Sequence, residues 1–214
     1  MNLTFAIGDV HGCLDMLKRL INRIEMSRPD GTVIFLGDYV DRGPDSAGVV
    51  QFIMDGPQKD GWKWIALKGN HEDMMVSCIA GANPIEWWIG NGGAQTIVSY
   101  GGEVISDHLK WCNDLPLFHT DDHRIYVHAG VDETVPLEEQ TEKALLWSRK
   151  PPHYSGEYWG KHLCHGHTPS LENPVTVGNR TNVDSGAVFG GKLTCAVFDD
   201  GIPGGPIEFM SVSE

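Results

Sequence analysis

Leu3-Thr4-Phe5-Ala6-Ile7-Gly8-Asp9-Val10-His11-Gly12 opens the chain with a short apolar run that gives way to glycine, aspartate and histidine. The run is too short for a typical helix and reads as a buried strand. The arrangement recurs twice. Val33 to Leu36 leads into Gly37-Asp38-Tyr39-Val40-Asp41-Arg42-Gly43, and Trp64 to Leu67 leads into Gly69-Asn70-His71-Glu72. In α/β folds, rigid strands deliver side chains from distant positions to one crevice at their carboxyl ends. Asp9, His11, Asp38 and Asn70 are therefore expected to converge, with flanking glycines allowing close backbone approach.

His128-Ala129-Gly130 and Gly166-His167 extend the set to five segments. Alone, a Gly-Asp after a strand is ordinarily a turn or a helix cap, and a lone histidine is ordinarily a hydrogen-bonded core residue. Five such segments, each after or within a strand-like run, point to a shared site. Hard oxygen ligands beside neutral imidazoles suit divalent manganese, iron or zinc better than calcium. Two such cations, about 3.5 to 4 Å apart, can acidify a shared water, neutralise phosphate oxygens and orient in-line attack. The chemistry implied is two-metal phosphoester hydrolysis.

The remaining sequence frames an α/β sandwich. Leu14, Leu17, Leu20, Ile21 and Ile24 follow helical spacing, Ser46 to Met54 opens a second helix after Pro44-Asp45, and Glu72 to Ala80 reads as a third. Residues 83–113 look like short helices covering one side, and strands are expected at Ile125 to Val127, Leu193 to Phe198 and Ile207 to Met210. Trp87, Trp88, Met74 and Met75 read as packing residues outside the site. The expected organisation is a single domain over residues 1–214 with a helical cap inserted at roughly 73–120.

Composition narrows the function classes. The 214 residues are 41% hydrophobic and carry 16 basic against 29 acidic side chains, a formal charge of −13. Two divalent cations would offset only about four of those charges. A broad phosphate-backbone footprint is not expected, which weakens a nuclease reading and predicts no nucleic-acid partner. Five cysteines show no paired framework and imply a reduced compartment. Cys164-His165-Gly166-His167 has no partner pair of suitable spacing for a separate zinc site. No apolar run reaches the roughly 18 residues of a membrane span, and the expected location is cytoplasmic.

At these motifs the sequence resembles the PPP-type phosphoprotein phosphatases of the calcineurin-like metallophosphoesterase superfamily, on the short bacterial and bacteriophage lambda branch. The resemblance runs from the first strand to Gly191, through Leu115 to Gly130 and Asn182-Val183-Asp184-Ser185-Gly186-Ala187-Val188-Phe189-Gly190-Gly191. It implies two central mixed β-sheets flanked by helices. It implies that Asp9, His11 and Asp38 hold one metal, and that Asp38 bridges to a second completed by Asn70, His128 and His167. His167 is chosen over His165 because it lies in a Gly-His-Thr-Pro segment of that branch, and His165 is expected to pack or hydrogen-bond nearby.

The resemblance further implies attack by a metal-bridging hydroxide, with no covalent phosphoenzyme. His71 would protonate the leaving oxygen, with Asp41 orienting it. Arg42 and Arg149 would hold phosphate oxygens, and Lys68, where the lambda-type branch has arginine, would supply a point charge. Manganese is the expected metal, with iron and zinc as alternatives. Phosphorylated proteins or peptides are the expected partners, with phosphoserine and phosphothreonine foremost and phosphotyrosine in addition. A related activity, on diadenosine tetraphosphate or nucleoside polyphosphates, is the alternative. Asp41 and Glu72 favour the phosphoprotein reading, because the dinucleotide subfamily commonly has Ala and Asp there. A non-catalytic phosphopeptide binder is the third reading, opposed by the retained His71, Asp41 and Arg42.

Overall fold

The computed structural model describes residues 2–149 and 156–214. Three parallel strands, β1 (Leu3–Ile7), β2 (Gly31–Phe35) and β3 (Trp62–Ala66), alternate with the helices α1 (Leu14–Ser27) and α2 (Ser46–Asp55). Asp45 caps α2 by accepting from the Gly48 N–H at 2.8 Å. The third helix, α3 (Asn70–Ile79), begins two residues before the expected Glu72, so Asn70 and His71 occupy its first turn. The short helices α4 (Ile85–Trp88), α5 (Ala94–Ser99) and α6 (Ser106–Asp114) follow, with a π-helical kink over Ile89–Gly93 between the first two.

A second sheet is then built from β4 (Phe118–Thr120), β5 (Arg124–Val127), β6 (His162–His165), β7 (Val175–Val177) and β8 (Arg180–Asn182), with α7 (Glu142–Trp147) between β5 and β6. The chain returns to the first sheet through β9 (Leu193–Asp199) and β10 (Glu208–Val212). The strand orders are β10-β9-β1-β2-β3 and β4-β5-β6-β8-β7, and each sheet mixes parallel and antiparallel pairs. The expected two-sheet α/β architecture is present. The expected strands did not include β4, β6, β7 and β8, whose polar residues break the apolar runs used to find strands.

Strand alternation separates the core into layers. Phe5, Ile7, Val33, Phe35, Cys195 and Val197 pack with Leu17, Leu20 and Ile24 on the helical face of the first sheet. Ala6, Ile34, Ala196 and Phe198 point the other way and meet Tyr126, Cys164 and Val183 between the sheets. On the outer side of the second sheet, Ile125, Val127 and Leu163 pack against Leu145 and Tyr158. The sandwich brings the carboxyl ends of both sets of parallel strands to one edge. No helix among the described residues is long and apolar enough to cross a membrane.

A candidate metal centre at the strand ends

Each parallel strand releases a polar side chain just beyond its last residue. Asp9 and His11 follow β1, Asp38 follows β2, Asn70 and His71 follow β3, His128 follows β5 and His167 follows β6. The turns are tight enough to force unusual backbone. Among the described residues seven non-glycines have positive φ, and five of them are His11, Asp38, Asp41, Arg42 and His167. Such strain persists only where surrounding contacts over-determine it. At Gly69 a Cβ would lie 2.2 Å from Asp38 Oδ1, so the approach of these two loops admits no side chain there.

The donors converge in two groups that share one carboxylate. Ligand atoms of Asp38, His128 and His167 lie within 4.8 Å of one another, as do those of His11, Asp38 and His71. Asn70 Oδ1 completes the first of these, at 2.8 Å from both His128 Nε2 and His167 Nδ1. His11 Nδ1 donates to the Val40 carbonyl and His128 Nδ1 to the Leu36 carbonyl, each at about 2.8 to 2.9 Å. Each Nε2 is thereby left bare toward Asp38, at 3.5 and 3.4 Å. Burial pushes His11 and His167 down to about 3 and lowers His128, keeping the three imidazoles neutral at physiological pH. Asp38 is lowered despite burial, because His128, His71 and His11 surround it.

Asp9 is arranged differently. Its two oxygens accept the His167 N–H at 3.1 Å each, and it lines the same cavity as His11 and Asp38 without joining the tight group of His11, Asp38 and His71. Burial, then the charges of Asp184 and Asp38, raise it well above the usual carboxylate range. Burial likewise pushes Asp184 up to about 6. Three buried carboxylates facing one small space, among neutral imidazoles with bare nitrogens, form a donor set that suits divalent cations.

His71 separates from the other histidines. Its Nδ1 lies 2.6 Å from Asp41 Oδ2, and both side chains are buried. Burial alone would lower it, yet Asp38 and the bonded Asp41 outweigh that cost and raise its pKa. Asp41 is itself fully enclosed: Oδ1 accepts from Trp88 Nε1 at 2.9 Å and from Thr96 Oγ1 at 2.7 Å. The expectation that Trp88 lies outside the site is therefore corrected. It is a core residue, and its N–H also holds the partner of His71. Trp87 is less a core anchor than expected, being 39% exposed and stacked on Trp147 at 5.7 Å.

Arg42 and Arg149 both line the cavity. Arg42 lies against His11 Nε2, and Arg149 Nε is 3.4 Å from His167 Nε2. Lys68 does not line it, which corrects the third expected phosphate contact. The Lys68 side chain lies on the α3–α6 side, where it is buried and its charge acts on Asp73, Cys112 and Asp114. His165 is buried, donating from Nδ1 to Gly166 O at 2.8 Å and accepting from Arg180 Nε at 2.5 Å, as expected for a supporting residue.

Two acids carry more than the sequence reading gave them. Glu72 accepts four backbone N–H groups, those of Asp38, Tyr39, Val40 and Gly69, at 2.7 to 3.2 Å, and so ties the second motif to the third. Asp184 lines the cavity two residues beyond β8. Its signal was present in Asn182-Val183-Asp184, which repeats the strand-then-aspartate pattern of the first two motifs.

Comparison with known proteins agrees with this geometry. A model of the family described as calcineurin-like phosphoesterase matches residues 4–195. The chain is 28% identical over 206 residues to serine/threonine-protein phosphatase 1 of Salmonella typhimurium, covering 90% of each chain. It is also 28% identical over 243 residues to the asymmetrical bis(5'-nucleosyl)-tetraphosphatase PrpE of Halalkalibacterium halodurans, covering 96% of this chain and 92% of that protein. The cold-active protein-tyrosine phosphatase of a Shewanella species superposes with a TM-score of 0.63 at 18% identity, over 91% of this chain and 75% of the other, a likeness of fold.

Proposed function

From the premise that this chain belongs to the calcineurin-like phosphoesterase family, we propose that it is a phosphomonoesterase acting on phosphorylated protein side chains. Phosphoserine and phosphothreonine are its principal substrates, and phosphotyrosine is within its range. Asp9, His11 and Asp38 are assigned to one divalent cation, and Asp38, Asn70, His128 and His167 to a second, with manganese preferred. Bound there, the cations supply Lewis acidity toward phosphate oxygens and toward a water molecule.

The chain's own groups do the rest. Arg42 and Arg149 hold phosphate oxygens at the cavity wall, where charge-assisted contacts are strong. His71, raised above its ordinary value by Asp38 and Asp41, holds its proton more tightly than a free histidine and delivers it to the departing oxygen, while Asp41 fixes Nδ1 and supports the charged ring. His11 cannot take that part, because burial holds it neutral.

The observation that carries the reading is the enclosed His71–Asp41 pair at 2.6 Å beside the metal-ligand cluster. A serine or threonine alkoxide is a poor leaving group and needs that proton. A nucleotide leaving from a phosphoanhydride departs as a stable phosphate and needs it far less. Hydrolysis of diadenosine tetraphosphate or other nucleoside polyphosphates is the second reading, supported by PrpE relatives at 28% identity. Manganese-reconstituted protein separates the two when phosphate release from phosphoserine, phosphothreonine and phosphotyrosine peptides is compared with the release of ATP and AMP from diadenosine tetraphosphate. A preference of about tenfold or more for the dinucleotide overturns the proposal.

A further inference from the structure

We infer that Trp147 and Phe189 are specificity-determining residues that seat a flat ring bonded directly to the phosphate oxygen, and so bring aryl phosphates of the phosphotyrosine type within the range of a site whose principal substrates are alkyl phosphates. The inference rests on the phosphomonoesterase reading above and names the residues that admit an aryl leaving group.

Both rings line the cavity together with Arg42, Arg149 and the metal-ligand cluster. Phe189 is 56% exposed, so core packing does not account for its place. It ends a 3-10 turn over Ala187–Phe189 that is closed by the bonds Phe189 N–H to Gly186 O at 2.9 Å and Gly191 N–H to Gly186 O at 3.0 Å. The turn is anchored on the site itself, where Gly186 N–H donates to Asp184 Oδ1 at 3.1 Å. The Phe189 ring thus stands in the open on a fixed base, with its centroid 5.5 Å from the Arg42 guanidinium carbon.

Trp147 is fixed from behind. It stacks on Trp87 with 20° between planes, its side chain bonds Asp73, and its ring meets that of His167 edge-on at 6.4 Å. Phe189 therefore belongs to the Arg42 and His11 end of the site, and Trp147 to the His167 end. A phosphate held between them has an aromatic surface toward each end. These separations are those of direct ring neighbours. Rings on the cavity wall beside the arginines that hold phosphate suit a ring attached directly to the phosphate oxygen.

The test uses the full chain reconstituted with manganese. Separate kcat and KM values are measured for one peptide sequence carrying phosphotyrosine or phosphoserine, with diadenosine tetraphosphate as a third arm. In Phe189→Ala the ratio of kcat/KM for phosphotyrosine to that for phosphoserine falls by about tenfold, chiefly through KM. Phe189→Tyr restores the ratio, and Trp147→Ala lowers it in the same sense. Equal losses on both peptides, or an unchanged ratio in Phe189→Ala, overturn the aromatic seat. So does a loss confined to the dinucleotide, which would assign the rings to a base. If the unaltered protein releases phosphate from neither peptide, the phosphomonoesterase reading itself falls.

Discussion

Trp88 donates its indole N–H to Asp41 Oδ1 at 2.9 Å, so a side chain of the α4 helix holds the carboxylate whose other oxygen grips His71. Trp88→Phe keeps the buried ring volume and removes this one bond, and Thr96 remains on the same oxygen. The expected result is a kcat on phosphoserine peptide about tenfold lower with two metals still bound, at a stability cost of about 1 kcal/mol. Single-turnover kinetics beside metal analysis check it. An unchanged kcat would mean that α4 packs against the site without orienting it.

Asp41→Asn tests the charge of the same carboxylate. His71 titrates above its ordinary value of 6.5 because Asp38 and Asp41 outweigh burial. As the proton donor it must be charged, so kcat/KM falls as pH rises through its folded value. Removing the Asp41 charge moves that basic limb to lower pH. Linkage gives the same sign for stability. A raised histidine stabilises the fold fully below its unfolded value and loses that contribution as pH rises through the folded one. In Asp41→Asn the difference in stability between pH 6 and pH 9 therefore shrinks, measured by urea unfolding at both.

Much of this was legible because a strand followed by Gly-Asp is both a local pattern and a topological instruction. Asp9, Asp38 and Asn70 could be placed at one edge without knowing any contact, because parallel strands share their carboxyl ends. His128 follows the expected strand at Ile125 to Val127, whereas His167 needed more than pattern: β6 reads His162-Leu163-Cys164-His165, and neither its alternation nor its length marks it as a strand. Lys68 failed for a related reason. Its neighbours in sequence point to phosphate, but the backbone is still extended at Gly69, and extended chain sends successive side chains to opposite sides. Trp88 and Thr96 were invisible for a third reason, since they reach Asp41 across 47 and 55 residues, and no sequence period encodes such a bond.

Glu72→Gln addresses the tie between motifs. The carboxylate offers two oxygens to four backbone donors, while an amide offers one and turns an N–H₂ toward N–H groups. At least one buried donor pair is left unsatisfied, so the metal-free variant should be less stable by about 2 to 4 kcal/mol. The loops carrying Asp38 and Asn70 also lose their common anchor. Urea unfolding gives the first effect, and calorimetric titration with manganese gives the second as weakened binding. A variant as stable as the parent would show that water replaces the lost acceptor.

Gly92→Ala probes how the helical segment sets the phosphate clamp. Gly92 has φ of 109° inside the π-helical kink, and its carbonyl accepts the Arg42 N–H at 3.1 Å. A Cβ there would lie 2.6 Å from Arg42 Cγ and 2.9 Å from its backbone nitrogen. The Arg42 stem can rotate, but its nitrogen is held in a left-handed turn with φ of 68° and cannot easily yield. Alanine therefore pushes Arg42 off the cavity wall and strains residue 92 as well. Binding of the phosphate group suffers before proton delivery does, because His71 and Asp41 make no contact with Gly92 in the hydrogen-bond network. KM for a phosphopeptide should rise about tenfold or more with kcat reduced less, the pattern expected when uniform binding is lost. Equal loss in both constants would instead place the effect of the kink on Asp41.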